Sequence, residues 1–161
     1  LVNELKLATN IENKFDPIAG KPVEGIQLLA KADKENVSKG ESITINLIFQ
    51  NISGEDIEIY QNQVPYFIIF HVVNQNGVTV PGKHPKKNSV PPIEKSHFLL
   101  LESGGYFTEI GLDINEHYKL TSGKYNIYVE YHLTPEYSGQ SLGKMGWAHK
   151  VVSNKIELTV K

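Results

Sequence analysis

The chain of 161 residues contains no cysteine and no arginine. Without cysteine there is no disulfide scaffold, thiolate zinc site or cysteine nucleophile. Without arginine the chain cannot form the planar, bidentate contacts by which guanidinium groups hold phosphate or carboxylate. A net charge of −2 further argues against nucleic acid as the main partner, because that partner requires a concentrated basic surface. No apolar run approaches the roughly 18 residues of a membrane-spanning helix, so no membrane span is predicted.

The first residue is Leu1 rather than methionine. Removal of a signal peptide leaves such a terminus, and so does any other shortening of the chain. We therefore predict an exported protein, periplasmic or in the cell envelope, with a cytoplasmic location as the alternative.

The most apolar stretch runs from Tyr66 to Val73, where every residue except His71 is β-branched or aromatic. This composition is typical of a strand. Because both faces of the strand are apolar, we expect it in the middle of a sheet that is covered on both sides. The dipeptide Asn76-Gly77 then predicts a tight hairpin, with Val78–Val80 as the returning strand.

The rest of the chain repeats the pattern of short strands between turn residues, without a convincing helix. Further strands are predicted at 26–32, 42–50, 57–60, 97–101, 106–114, 125–131 and 154–160. Strands about ten residues apart with turns between them predict an all-β fold, an immunoglobulin-like antiparallel β-sandwich of about eight or nine strands. We assign this domain to residues 26–161 and expect residues 1–25 to form an N-terminal extension packed along it.

Two local signals refine this prediction. Gly111 lies inside a predicted strand, which suggests a bulge. Tyr125 follows a glycine turn, and in immunoglobulin-like sandwiches a tyrosine at this corner bonds back to the upstream backbone. If the strands alternate strictly up and down, the connection 134–153 lies at the same end as the turns 51–56, 74–77 and 102–105.

Short motifs carry a family resemblance. They are Phe49, Asn51 and Ser53; the segment Phe70–Val80; Leu101–Gly104; Gly123 with Tyr125; and Ser153-Asn154-Lys155-Ile156. Their order resembles the bacterial intracellular proteinase inhibitor family and, with the last motif, the N-terminal sandwich domain of peptidyl-lysine metalloendopeptidases. The resemblance covers residues 26–160 and implies the sandwich fold; for the first family it also implies inhibition of a protease. The zinc-protease motif HExxH is absent, so peptidase activity is not implied.

Two long loops, Pro81–Pro92 and Thr134–Ser153, are the predicted recognition elements, because loops on a rigid sandwich commonly carry binding. Aromatic residues and methionine make large, adaptable contacts, and lysines attract an acidic partner. The candidate binding residues are Tyr137, Met145, Trp147, His149, Lys83, His84, Lys86 and Lys87. The alternatives are that Trp147 folds back over the end of the sandwich and that the lysine loop is merely solvated.

Catalytic and metal sites are not predicted. The six histidines share no short spacing within one element, and His71 is expected on a partly buried strand face with one hydrogen bond. His132 and His149 flank one loop, where a shared metal is the weaker alternative. Asp113, with Glu116 and His117, is interpreted as a solvated turn that caps the crossover between sheets rather than as an acid–base cluster. We expect no enzyme activity and no cofactor.

The sequence therefore favours a non-catalytic binding or accessory module that acts by protein–protein recognition through its long loops. One alternative is a proteinase inhibitor that presents a loop to a protease. A further alternative is a carbohydrate-binding module with Tyr and Trp platforms. The partner is accordingly a protein, with a protease as one candidate, or a glycan.

Overall fold

The computed structural model describes residues 20–61, 67–83, 92–143 and 145–161, without the side chains of 110 and 111. The strands are β1 (Ile26–Ala32), β2 (Asn36–Val37), β3 (Thr44–Asn51), β4 (Ile57–Tyr60), β5 (Ile68–Asn74), β6 (Phe98–Leu101), β7 (Tyr106–Asp113), β8 (Gly123–His132), β9 (Lys150–Val152) and β10 (Ile156–Val160). The α-helix of the described residues is α1 (Ile114–His117), and short 3₁₀ turns cover Lys95–His97, Pro135–Ser138 and Gln140–Leu142. The all-β prediction is confirmed.

Two sheets form the sandwich. One has the order β1-β3-β7, and the other has the order β2-β10-β8-β5, with β9 also paired to β8. Their inner faces meet at Phe49, whose ring stacks on Phe107 at 4.4 Å and meets Tyr131 of the opposite sheet edge-on at 4.7 Å. All described pairings within these sheets are antiparallel except β10 with β2.

Strand β8 is the centre of the larger sheet, with β5 on one side and β10 on the other. Its side chains alternate strictly, so that Tyr125, Ile127, Val129 and Tyr131 are buried and the residues between them are more exposed. Each such side chain contributes about 1.5–3 kcal/mol of hydrophobic stabilisation relative to an exposed position. The core of the molecule is therefore built on β8.

Strand β5 lies at the border of its sheet, which corrects the prediction that the apolar stretch occupies the middle. Its Val72 is fully buried, whereas Ile69 and Val73 on the outer face are only half-buried. Aromatic and β-branched composition indicates that a segment prefers the strand conformation, but it does not fix how many neighbours the strand has. Tyr66, predicted to begin the strand, lies outside the described residues.

The predicted hairpin after β5 is confirmed, but the returning strand is not. Gly77 adopts a φ of 76°, the left-handed conformation that glycine tolerates. The amide of Asn74 donates to the carbonyl oxygen of Val78 at 2.9 Å. Beyond this turn the chain returns along β5 only as an isolated bridge between Val73 and Thr79.

Both refinements of the fold are confirmed. The hydroxyl of Tyr125 donates to the carbonyl oxygen of Thr121 at 2.8 Å and accepts from the Thr121 amide at 3.1 Å. The pairing of β3 with β7 shifts its register between Ile45 and Leu47, where β7 carries the bulge predicted at Gly111.

The prediction of strict up-and-down alternation is wrong in part. Trp147 donates to the carbonyl oxygen of Val23, which places the 134–149 connection at the end of the sandwich that holds Asn51, as predicted. The turn after β5 lies at the opposite end, because the amide of Lys124 donates to the side chain of Gln75. Strand β4, which precedes β5, pairs with β6 and bridges Trp147 and does not extend the larger sheet.

The described part of the N-terminal extension lies against β1. The amide of Gly20 donates to Leu28 at 3.0 Å, and Val23 bridges Ile26. Residues 1–19 lie outside the described residues, so the packing predicted for them remains a prediction. Among the residues described, no helix is both long and apolar enough to cross a membrane.

Candidate interaction surface

The connection between β8 and β9, residues 134–149, is called the anchored loop; residue 144 lies outside the described part. It folds into the two 3₁₀ turns Pro135–Ser138 and Gln140–Leu142, which Gly139 joins with a φ of 77°. Tyr137 is only 2% exposed, and its ring lies 4.6 Å from that of Phe67 and 5.1 Å from that of Tyr60. Tyr137 therefore fixes the loop to the core.

Trp147 is the second anchor of this loop. Its indole is 5% exposed and stacks over Tyr131, and its Nε1–H donates to the carbonyl oxygen of Val23 at 3.0 Å. The expectation that Tyr137 and Trp147 present their rings to a partner is thus corrected. The alternative, in which Trp147 folds back over the end of the sandwich, describes the structure, because a large apolar ring loses most by remaining in water.

Between these anchors, Met145 is 97% exposed. An isolated methionine in full contact with water gains nothing for folding, although its flexible thioether adapts well to a partner surface. His149 is also exposed, and its ring lies 5.5 Å from that of Trp147. Of the four aromatic and methionine candidates, Met145 and His149 are thus at the surface, while the other two hold the loop in place.

The anchored loop also pairs with β4. The amide of Trp147 donates to the carbonyl oxygen of Glu58 at 2.7 Å, and Ile59 bridges Trp147 in parallel. A Cβ atom at Gly146 would lie 2.9 Å from the carbonyl oxygen of Ser138, so only glycine fits this close approach. We call β4, β6 and residues 145–147 the small sheet, in which β4 is the middle strand.

Strand β6 forms the outer edge of the small sheet. Leu100 is the pairing partner of Glu58, and it is 55% exposed. The carbonyl of Glu58 points away from β6 toward Trp147, so the pair is of the kind that exchanges no hydrogen bonds. It follows that the N–H and C=O of Leu100 point away from β4, on a side where no described strand pairs with Leu100.

Carboxylates surround this edge. Glu58 lies opposite Leu100, Glu102 follows β6 directly, and Asp56 accepts a hydrogen bond from the amide of Ser103. At the other end Glu94 precedes the 3₁₀ turn that leads into β6. We call Asp56, Glu58, Glu94 and Glu102 the acidic rim. Lys95 follows Glu94 directly, so one positive charge lies among these carboxylates.

The lysine loop is described only at its start. Lys83 is exposed; its amide donates to the carbonyl of His117 at 2.7 Å, and its ammonium group donates to the carbonyl of Asn115. His84, Lys86 and Lys87 lie outside the described residues. Lys83 is thus bonded to α1, the short helix that follows β7.

The histidines of β5 and β8 lie on the outer face of the larger sheet. His71 is about half exposed, and its Nε2 lies 2.9 Å from a carboxylate oxygen of Glu130. His132 Nδ1 lies 4.0 Å from the other oxygen. His149 projects from the opposite face to His132, because it is Leu133 that pairs with it. Within the described residues, no three histidine, aspartate or glutamate side chains are grouped as metal ligands.

Asp113 acts as a cap, as interpreted from the sequence. Its carboxylate accepts from the amides of Asn115 and Ile43 and from the hydroxyl of Ser42, at 2.9, 3.3 and 2.7 Å. Burial raises the pKa of this carboxyl group, but the three hydrogen bonds together with the nearby His117 outweigh burial and lower the pKa overall. Three of its roughly four acceptor positions are thus used within the fold, as in a structural cap.

A scan of protein-family models found no match for the chain, and a comparison with curated proteins found none either. The resemblance to intracellular proteinase inhibitors and to the metalloendopeptidase domain therefore stays a prediction. Sandwich folds host many unrelated functions, so function has to be argued from the surface itself.

Sequence reasoning missed the edge at Leu100. The available signal was the run Phe98-Leu99-Leu100-Leu101, because a strand in one sheet of a two-layer protein seldom buries four successive apolar residues. One of these leucines had to face outward. Which one did so depended on the register with β4.

Proposed function

We propose that the protein is a non-catalytic recognition module that binds another protein through the exposed part of the small sheet. The observation that supports this proposal best is the contrast within the anchored loop. Two buried rings hold the loop rigidly, while Met145 between them is 97% exposed. Rigid presentation lowers the entropy lost on binding, and methionine adapts to many apolar pockets.

The position of Leu100 adds to this argument. Leu100 and Met145 flank the middle strand β4, one on each neighbouring strand, and they are among the few large apolar side chains exposed in the described residues. Scattered apolar side chains are ordinary on a protein surface. Two of them on one small sheet make this part of the surface the best candidate for a contact.

A photo-crosslinking residue at position 145 tests the proposal, with position 78 as the matched control. Val78 is 57% exposed and lies in the hairpin at the other end of the molecule. After irradiation in an extract of the source cells, we expect a discrete protein adduct from position 145 and none from position 78. Identical adducts from both positions, or none from either, would contradict the proposal.

A second candidate function is inhibition of a protease. Its support is again Met145, an exposed apolar side chain on a loop that buried residues hold on both sides. An inhibitor presents a residue to the pocket of a protease in the same way. Titration of serine proteases and metalloproteases tests this candidate. Stoichiometric inhibition that is lost in Met145→Gly, but kept in Val78→Gly, would favour the inhibitor over the adaptor.

The carbohydrate-binding alternative has lost its main support. It depended on Tyr and Trp platforms, and the faces of Tyr137 and Trp147 are buried. We keep the predicted location outside the cytoplasm as part of the proposal, and cell fractionation followed by immunoblotting tests it.

A further inference from the structure

We propose that Asn76 is a site of spontaneous deamidation and that the side chain of Asn74 sets the rate of this reaction. The inference goes beyond the proposed function and does not depend on it, because the hairpin after β5 lies at the end of the sandwich opposite the anchored loop. It concerns a covalent change for which this chain and water are sufficient.

The sequence carries the first step of the argument. Asn76 is the only asparagine of the chain that a glycine follows. The backbone nitrogen after an asparagine can attack the side-chain amide carbon, and a side chain on the following residue hinders this approach. Glycine has no side chain and adopts the widest range of backbone conformations. Asn76-Gly77 is therefore the pair at which the attack meets the least steric resistance.

The reaction balances with water as its co-reactant. The nitrogen of Gly77 gives up its proton and forms a bond to Cγ of Asn76. The bond from Cγ to Nδ2 breaks, and Nδ2 leaves with that proton as ammonia. Water then adds to one of the two carbonyl carbons of the resulting five-membered imide and opens the ring. The products are aspartate and isoaspartate, so a neutral amide becomes a carboxylate.

The surface position of the turn carries the second step, since water must reach the reacting atoms. Asn76 and Gly77 are both exposed. Asn51 shows the opposite situation, because it is fully buried and its Nδ2 donates to three backbone carbonyl oxygens at 2.8, 2.9 and 3.2 Å. The hairpin therefore leaves open to water the reaction that the core would prevent.

The hydrogen bonds of the turn carry the third step, because three successive amides donate to Asn74. Its Oδ1 accepts from the amide of Asn76 at 2.9 Å and from the amide of Val78 at 3.0 Å. Its carbonyl oxygen accepts from the amide of Gly77, the attacking nitrogen, at 3.0 Å. The attack requires rotation of the peptide group between Asn76 and Gly77, and the hydrogen bonds on both sides of that group oppose the rotation. The side chain of Asn74 therefore slows the reaction.

The product changes the hairpin. Isoaspartate routes the main chain through the former side chain, which adds a backbone atom to the turn. The bond from the amide of Asn74 to the carbonyl oxygen of Val78, 2.9 Å long in the unmodified chain, depends on the original length of the turn. We expect this bond to be lost in the isoaspartate form.

The first test incubates the full chain at mildly alkaline pH and follows its peptides by mass spectrometry. The peptide that contains Asn76 is expected to gain about 1 Da with time and to become a substrate of isoaspartyl methyltransferase. Asn36 is the internal control, since it is also exposed but Val37 follows it. Its peptide is expected to keep its mass. Absence of a gain at Asn76, or an equal gain at Asn36, would overturn the proposal.

Variants of Asn74 test its control of the rate. Asn74→Ala removes the acceptor of two amides and is expected to speed the deamidation of Asn76 about fivefold or more. Asn74→Asp keeps an acceptor oxygen and is expected to retain the slow wild-type rate. Thr79→Ala, in the same hairpin, is the control variant and is expected to leave the rate unchanged. Equal rates in wild type and Asn74→Ala, or equal acceleration by Thr79→Ala, would overturn the role of Asn74.

Hydrogen exchange separates a local effect from unfolding. The amide of Ile127, a fully buried residue of β8, is expected to exchange at the wild-type rate in Asn74→Ala. Exchange at this amide that rises in parallel with the deamidation rate would assign the acceleration to unfolding of the whole domain, and it would likewise overturn the role of Asn74.

Discussion

The border strands β5 and β6 differ in how their free edges are treated. Along β5, the Tyr118 hydroxyl donates to the carbonyl oxygen of Phe70 at 2.8 Å, and the Val80 amide donates to that of Val72 at the same distance. Along β6, the backbone of Leu100 faces a side where no described strand pairs with it. Unpaired edges invite other strands, and proteins usually cover them.

The other long edges of the sandwich are also protected. The amide group of Asn154 bonds both backbone groups of Ala30 on β1, at 2.8 and 3.0 Å. Strand β7 has its bulge and an inward-facing carboxylate, because Glu109 pairs with the fully buried Leu47. Strand β6 is only four residues long. The comparison teaches that, among the residues described, side chains or a bulge cover the edges of β1, β5 and β7, whereas the backbone of Leu100 on β6 meets no described neighbouring strand.

The largest effect is expected when the side chain that covers one side of β4 is removed. Trp147→Ala removes the ring that holds residues 145–147 beside that strand. We expect a loss of about 3–5 kcal/mol in the free energy of unfolding, as for large buried aromatics, measured by urea denaturation. Trp147→Phe retains a ring but loses the donor to Val23, so its loss is expected to be smaller. Equal stability of wild type and Trp147→Ala would show that the loop is not anchored there.

The second largest effect is expected when the edge of β1 loses the side chain that covers it. Asn154→Ala deletes the two hydrogen bonds to Ala30, and we expect a loss of about 1–3 kcal/mol in unfolding free energy together with faster hydrogen exchange of the Ala30 amide. Lys155→Ala, at the exposed neighbouring position, is the control and is expected to leave both quantities unchanged. If Asn154→Ala exchanges at the wild-type rate, the side chain does not protect this edge.

A smaller change opens the edge of β5. Burial raises the pKa of Tyr118, so its hydroxyl stays protonated and remains a donor through neutral pH. Tyr118→Phe is expected to reduce the unfolding free energy by about 1 kcal/mol, measured by urea denaturation. Tyr128→Phe, on the outer face of β8, is the control variant. An equal effect of the two substitutions would contradict the role assigned to the Tyr118 hydroxyl.

The smallest effect is expected on β7. Burial raises the pKa of Glu109 above its unfolded value. The protonated form therefore favours folding below the unfolded pKa, and this contribution is lost as the pH rises through the folded pKa. Glu109→Gln stays neutral, so its Tm is expected to exceed that of the wild type by roughly 2 °C near neutral pH and by nothing in acid.

The control for this prediction is Glu157→Gln, because the hydrogen bond from Lys155 lowers the pKa of that exposed carboxylate. This control is expected to show no rise in Tm at neutral pH. A Tm difference for Glu109→Gln that persists unchanged at acid pH would contradict the assigned ionisation.

The predicted sandwich followed from local patterns. The bounds of β1 and β4 coincide with the prediction, and the Tyr125 corner is found where glycine and tyrosine indicated it. The candidate surface was predictable only in part. Met145 could be named from the loop composition, but the burial of Tyr137 and Trp147 could not, since an aromatic ring in a loop serves equally as an anchor or as a contact.

The sequence by itself determined the strands, their turns and the two-layer architecture, because side-chain alternation and turn conformations depend on residues close in the chain. Only the tertiary structure decided which strands lie at a border, which edges are covered and which way Leu100 faces. These properties depend on partners distant in the chain, such as Asn154 beside Ala30 and Trp147 beside Glu58. A shift of one residue in the register of β6 would have buried Leu100 and exposed its neighbour.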